Sequence, residues 1–169
     1  MARKERERRY ISEYLLHTYP EGHYQLNVEL GPIPHEYVQR YGLARAAALF
    51  RPTRPRVDAV HWSSDQYILI EAKVREIKNG IGDLLYYLGQ AKLAPDLPNY
   101  EDQPIVAVLV VPWMLEWLAP AAEAAGITVV VFRQAWIDDY VKERQHYQTA
   151  DYRAERDEKK RLRDILGVD

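Results

Sequence analysis

The sequence predicts an α/β fold built on a central mixed β-sheet flanked by helices. Two observations carry that expectation. Two β-rich runs, 56–62 and 67–74, are separated only by Ser63-Ser64-Asp65-Gln66, which reads as a hairpin and therefore an antiparallel pair. After them helical and apolar runs alternate, the pattern of parallel strands joined by helices. A third observation bounds the size. The chain has 169 residues, 47% hydrophobic and 28% charged, enough for one ordinary core and too apolar for a disordered chain.

Each element follows from local pattern. Tyr10, Ile11, Tyr14, Leu15 and Thr18 recur at helical spacing behind a charged opening, and Pro20 ends the first helix. His23 to Leu30 alternates, with Tyr24, Leu26, Val28 and Leu30 on one face, and Gly31-Pro32 closes that strand. His35 to Phe50 reads as a helix around its alanine-rich part, stopped by Arg51-Pro52-Thr53-Arg54-Pro55. After the hairpin, Ile81, Leu84, Leu85 and Leu88 mark a helix to about Leu93, and a loop runs from Ala94 to Pro104. Ile105 to Val111 is a strand, Trp113 to Ala125 a helix closed by Gly126, and Ile127 to Phe132 a last strand. Residues 142–169 are dense in both charges and show little apolar face before Ile165-Leu166. One domain over 1–141 with a charged, helical C-terminal tail over 142–169 is expected; the tail is a solvated helix or an arm for homo-oligomerisation or assembly.

Composition excludes several chemistries. The chain has no cysteine, which removes disulfides, thiolate nucleophiles, iron–sulfur clusters and the usual structural zinc sites. The five histidines show no ligand spacing, and no serine sits in a Gly-x-Ser-x-Gly elbow. Asn79-Gly80-Ile81-Gly82-Asp83 lacks the lysine of a phosphate-binding loop. Formal net charge is −2, so nucleic-acid binding must come from a local patch. The longest apolar run, 105–111, falls far short of the roughly 20 residues that span a bilayer. No membrane contact is expected, and the charged opening argues for a cytoplasmic protein.

The remaining chemistry is carboxylate chemistry, and the hairpin concentrates it. The period of two puts Leu69, Glu71 and Lys73 on one face of the second strand and Ile68, Ile70, Ala72 and Val74 on the other. If the four-residue loop pairs Trp62 with Tyr67, Asp58 falls opposite Glu71. Like charges directly opposed across strands are destabilising, so a cation should lie between them. Lys73 is one candidate. A hard divalent ion is another, since Mg²⁺ takes one or two carboxylates and keeps several waters. A plain surface ladder of Asp58, Glu71, Lys73, Arg56 and Arg75 on an exposed hairpin has the same spacing.

With Arg56-Val57-Asp58, twelve intervening residues, Glu71-Ala72-Lys73 at the end of an apolar strand, and an amphipathic helix after it, the chain resembles the PD-(D/E)XK nuclease superfamily. The resemblance covers Met1 to about Phe132. It implies a restriction-endonuclease-like core and hydrolysis of DNA phosphodiester bonds. Asp58 and Glu71 would be metal ligands for Mg²⁺ or Mn²⁺, with the Ala72 carbonyl completing the site and Lys73 orienting the attacking water. Glu13 is the candidate for the helical glutamate that often joins such sites, with Glu29 and Glu36 as competitors. Where the RecB-like branch has a Gln-x-x-x-Tyr pair, this chain offers Asp83 and Tyr87, and Gln90 is a second candidate for the amide. That departure leaves open an altered or an eroded site: a non-catalytic structural or nucleic-acid-binding protein on a nuclease-like fold is the alternative.

The opening Arg9-Tyr10-Ile11-Ser12-Glu13-Tyr14-Leu15-Leu16, Leu30-Gly31-Pro32-Ile33-Pro34 and Val129-Val130-Val131-Phe132-Arg133 are also similar to a group of small bacterial and phage proteins. That implies a phage or mobile-element setting, with virion association as one possibility. Arg45, Arg51, Arg54 and Arg56 form a basic cluster just before Asp58 that could grip flanking phosphates, or be only a charged loop. Tyr86 and Tyr87 could stack on bases or pack against the core.

Overall fold

The structure, a computed structural model, describes residues 3–97, 103–146 and 150–166. Residues 1–132 and 133–169 form two compact units. The first holds a five-stranded sheet in the order β1-β2-β3-β4-β5: His23–Glu29, Arg56–Trp62, Tyr67–Ala72, Ile105–Val111 and Ile127–Val131. β1, β2 and β3 pair antiparallel; β3, β4 and β5 pair parallel. The fold is therefore α/β with a mixed sheet, as the pattern predicts.

The hairpin turn closes with Ser63 N–H donating to the Gln66 carbonyl at 3.1 Å, and Trp62 faces Tyr67. β3 is the central strand, with a neighbour on each side and all six residues buried. The expectation of a half-polar hairpin gives way here. Helices cover the sheet, so Glu71 is only 4% exposed. An exposed surface ladder is excluded by the same burial.

α1 (Arg3–Thr18) buries Tyr10, Ile11, Tyr14 and Leu15 and touches β2 and β3. The helix expected over 35–50 is two, α2 (His35–Tyr41) and α3 (Leu43–Phe50), broken at Gly42 with φ 77°. α4 (Ile77–Ala91) begins four residues before the first apolar marker and packs on β3 and β4 through Ile77, Gly80, Leu84 and Ala91. α5 (Leu118–Ala124) starts later than expected, because Pro120 is tolerated only in a first turn. Around Leu69, Leu84, Leu109, Val111 and Leu118 the core of this unit is continuous. Burying one such leucine contributes roughly 1.5–3 kcal/mol.

The second unit holds α6 (Ala135–His146) and α7 (Ala150–Leu166). In α6 Asp138 pairs with Arg133 at 3.0 Å. Arg156 to Arg163 of α7 are exposed, as its charge pattern predicts. Among the described residues no helix is long and apolar enough to cross a membrane.

Candidate functional site

Continuing the observed β2–β3 register by one pair beyond Ala59 and Ile70 puts Asp58 opposite Glu71. The side chains respond to that opposition. Asp58 Oδ2 accepts a hydrogen bond from the Ala72 N–H at 3.0 Å, while the Asp58 N–H reaches Glu71 Oε2 at 3.4 Å. Lys73 follows the strand, its N–H donating to the Val110 carbonyl at 2.9 Å. Its ammonium lies 2.7 Å from Glu71 Oε1 and 2.7 Å from Asp83 Oδ2 on α4. A cation thus sits beside the acidic pair, as the like-charge opposition requires.

The electrostatics are those of a desolvated charge cluster. Burial pushes the Glu71 carboxyl up to about 7, Asp58 adds to the push, and Lys73 opposes it. Burial likewise raises Asp58; the Ala72 N–H and Lys73 oppose, while Glu7 and Asp83 add to the rise. For Lys73 burial disfavours the charge, but Glu71 and Asp83 outweigh it and hold the pKa above the usual lysine value. Lys73 is therefore a fixed cation at neutral pH. The Tyr87 hydroxyl is raised by burial and then by Glu71 and Asp83, so it belongs to the same cluster and stays protonated.

Asp58, Glu71, Lys73, Asp83 and Tyr87 are thus gathered by β2, β3 and α4. Gln90 lies elsewhere: its carbonyl accepts from the Gly31 N–H at 3.0 Å, and its side-chain oxygen lies 2.7 Å from where a Cβ on Gly31 would be. With φ +88° as well, that turn requires glycine. Glu13 pairs along α1 with Arg9 at 2.7 Å, Glu29 accepts from Arg51 and forms an ion pair with Arg56, and Glu36 is exposed on α2.

The helical carboxylate near Asp58 is Glu7, which shares a cleft of about 320 Å³ with Arg8, Asn27, Arg54, Arg56 and Asp58. It lies inside the charged opening, where its neighbours are arginines and glutamates. Its phase was a signal: Glu7 precedes Tyr10, Ile11 and Tyr14 by three, four and seven residues, on the buried face of α1.

The basic cluster divides. Arg54 is buried, its guanidinium bonded to the carbonyls of Glu29, Leu30 and Gly31 and bidentately to Asp96 at 2.6 and 2.7 Å. Nε, Nη2 and one N–H of Nη1 are committed, so Arg54 ties three segments together and its main role is structural. Arg51 and Arg56 stay at the surface beside Glu29, and Arg45 lies over the Tyr41 ring, 5.5 Å from its centroid.

The residues here that could hold a hard cation are Asp58 and Glu71, whose carboxylate oxygens are of the kind that Mg²⁺ or Mn²⁺ prefers. Two carboxylates with raised pKa values have free energy to gain from such an ion. Among the described residues no group of three or more His, Cys, Asp or Glu side chains is gathered to hold a metal. Fewer protein ligands suit Mg²⁺, which keeps its waters.

No family model matches the chain, and no curated protein matches it. Among solved structures, a repair endonuclease from Pyrococcus abyssi is similar at 15% identity with a TM-score of 0.46, over 79% of this chain and 48% of that one. The chain spans about half the length of that protein.

Proposed function

We propose that the protein is a metal-dependent nuclease of PD-(D/E)XK type that hydrolyses DNA phosphodiester bonds. The observation that supports this best is Glu71, buried on the central strand, with half-buried Asp58 opposite it on β2 and the Lys73 ammonium 2.7 Å from the Glu71 carboxylate. A structural ion pair needs one carboxylate per lysine. Here Lys73 pairs with two carboxylates, Glu71 and Asp83, and a third, Asp58, lies opposite Glu71, an excess of acid that costs folding stability and suits a cation-binding, charge-handling site.

Asp58, Glu71 and the Ala72 carbonyl would hold Mg²⁺ or Mn²⁺, which when bound lowers the pKa of water and stabilises negative charge developing on phosphorus. Lys73 stays protonated, so it donates to the attacking water or to a phosphate oxygen and does not accept a proton. Asp83 shares the Lys73 ammonium and limits its swing. The Tyr87 hydroxyl, also protonated, is a neutral donor at the same site.

Incubation of wild type and Lys73→Ala with linear, circular and branched DNA in Mg²⁺, Mn²⁺ or EDTA tests this. Metal-dependent cleavage by wild type, lowered at least 10²-fold by the substitution, is expected. No cleavage by folded wild type in any condition would overturn the proposal in favour of a non-catalytic, phage-type binding or assembly protein.

A further inference from the structure

Asn27 has φ 53°, one of two non-glycine residues among those described with positive φ. It lies in the middle of strand β1, where extended backbone is the rule. The β1–β2 ladder pairs Leu26 with Ala59 and Val28 with Val57, yet it skips the pair between them, Asn27 and Asp58. The register is the same on both sides, so no residue has been inserted and this is not a bulge. A left-handed residue therefore sits directly opposite the candidate metal-binding aspartate. Strain of this kind persists where the surroundings hold it, and it clusters at functional sites.

The side chain lines the cleft that also holds Glu7, Arg8 and Asp58. Arg54 is buried and held by Asp96 and the 29–31 carbonyls, and Arg56 lies 3.2 Å from Glu29. The Asn27 amide makes no side-chain hydrogen bond to any described residue, so its two N–H donors are uncommitted on a residue that lines the cleft. Neutrality suits the place. An arginine or lysine opposite Asp58 would pair with that carboxylate and compete with a metal ion, whereas an amide can donate to an anion without quenching the charge.

We infer that Asn27 is a substrate-binding residue whose amide donates to a phosphate oxygen of the DNA strand lying beside Asp58. This rests on the nuclease proposal above. Glycine, aspartate and alanine at this position separate contact from conformation. Glycine takes φ near +53° at no steric cost and lacks the amide; alanine lacks both; aspartate tolerates the backbone and repels phosphate.

The experiment measures binding of a fluorescein-labelled duplex by anisotropy with Ca²⁺ in place of Mg²⁺, single-turnover cleavage in Mg²⁺, and thermal melting, for wild type, Asn27→Gly, Asn27→Ala and Asn27→Asp. Expected are affinities about tenfold lower for both Gly and Ala, the worth of one hydrogen bond to a charged group, and lower still for Asp. Melting should fall for Ala, through the backbone, and for Asp, whose carboxylate opposes Asp58, and should hold for Gly. A purely conformational role orders the variants differently, with Gly matching wild type in affinity and cleavage and only Ala weak; that result overturns the assignment and leaves the nuclease proposal standing. Failure of wild type both to bind and to cleave DNA overturns both.

Discussion

Glu71→Gln should make the protein more stable at alkaline pH while removing its metal site. An unfolded glutamate titrates near 4.5, whereas folding lifts Glu71 to about 7. Between those values the native state binds more protons than the unfolded chain, so stability falls as pH rises from 4.5 and the full penalty stands above 7. At about 1.4 kcal/mol per pH unit the penalty is roughly 3 kcal/mol at pH 8 and under about 1 kcal/mol at pH 5. Lys73 attraction is already included, and Glu71 is too buried for solvent to discount it much. Glutamine keeps the shape and loses the charge. At roughly 2–4 °C per kcal/mol for a chain of this size, metal-free Glu71→Gln should melt about 6–12 °C above wild type at pH 8, the gap shrinking toward pH 5. Saturating Mg²⁺ should raise the wild-type Tm by a similar amount and leave the variant unmoved. Differential scanning fluorimetry across pH 5–8 with EDTA or Mg²⁺ measures all of this. A variant that melts below wild type by the same amount at both pH values would refute the claim that Glu71 is held there against its own electrostatic preference.

Other substitutions probe the frame around the site. Arg54→Met leaves Asp96 and the carbonyls of residues 29–31 without their donor and should cost about 3 kcal/mol, read as a lower urea midpoint at unchanged slope; a neutral result would mean the guanidinium network adds nothing. In Gly80→Ala the new methyl runs into Leu109 Cδ1 and lies 3.2 Å from Lys73 Cγ. It should destabilise by about 1–3 kcal/mol and lower single-turnover cleavage by displacing Lys73. Gly82→Ala, two residues on and open to solvent, should instead stabilise by about 0.5–1 kcal/mol, so the pair of melting curves separates crowding from helix propensity.

Much of the site was legible because hairpin register is local. A four-residue loop between two alternating runs leaves one pairing that aligns their faces, and it places Asp58 beside Glu71 before any tertiary contact is considered. The helix following the strand likewise delivers Asp83 and Tyr87 one turn apart on one face. Helix limits were less legible. Apolar spacing ran past Gly42 and across Pro120, where backbone φ freedom and a missing N–H decided the boundaries. Gln90 has the right residue type on the right helix, but it lies a turn beyond the site and its oxygen belongs to the Gly31 turn.

The sequence by itself determined the strands, the α/β order and the β2–β3 register, since these follow from periodicity and turns within some twenty residues of chain. Tertiary structure decided what those elements are worth chemically. Covering both faces of β3 turned a charged hairpin into a buried cluster and lifted Glu71 toward neutrality, because desolvation depends on what packs over a strand and not on the strand itself. Arg54 became structural for the same kind of reason: its acceptors come from residues 29–31 and 96, distant in sequence and joined only by the fold. Glu7 and Asn27, one on the first helix and one in the first strand, reach Asp58 only once α1 and β1 pack against β2.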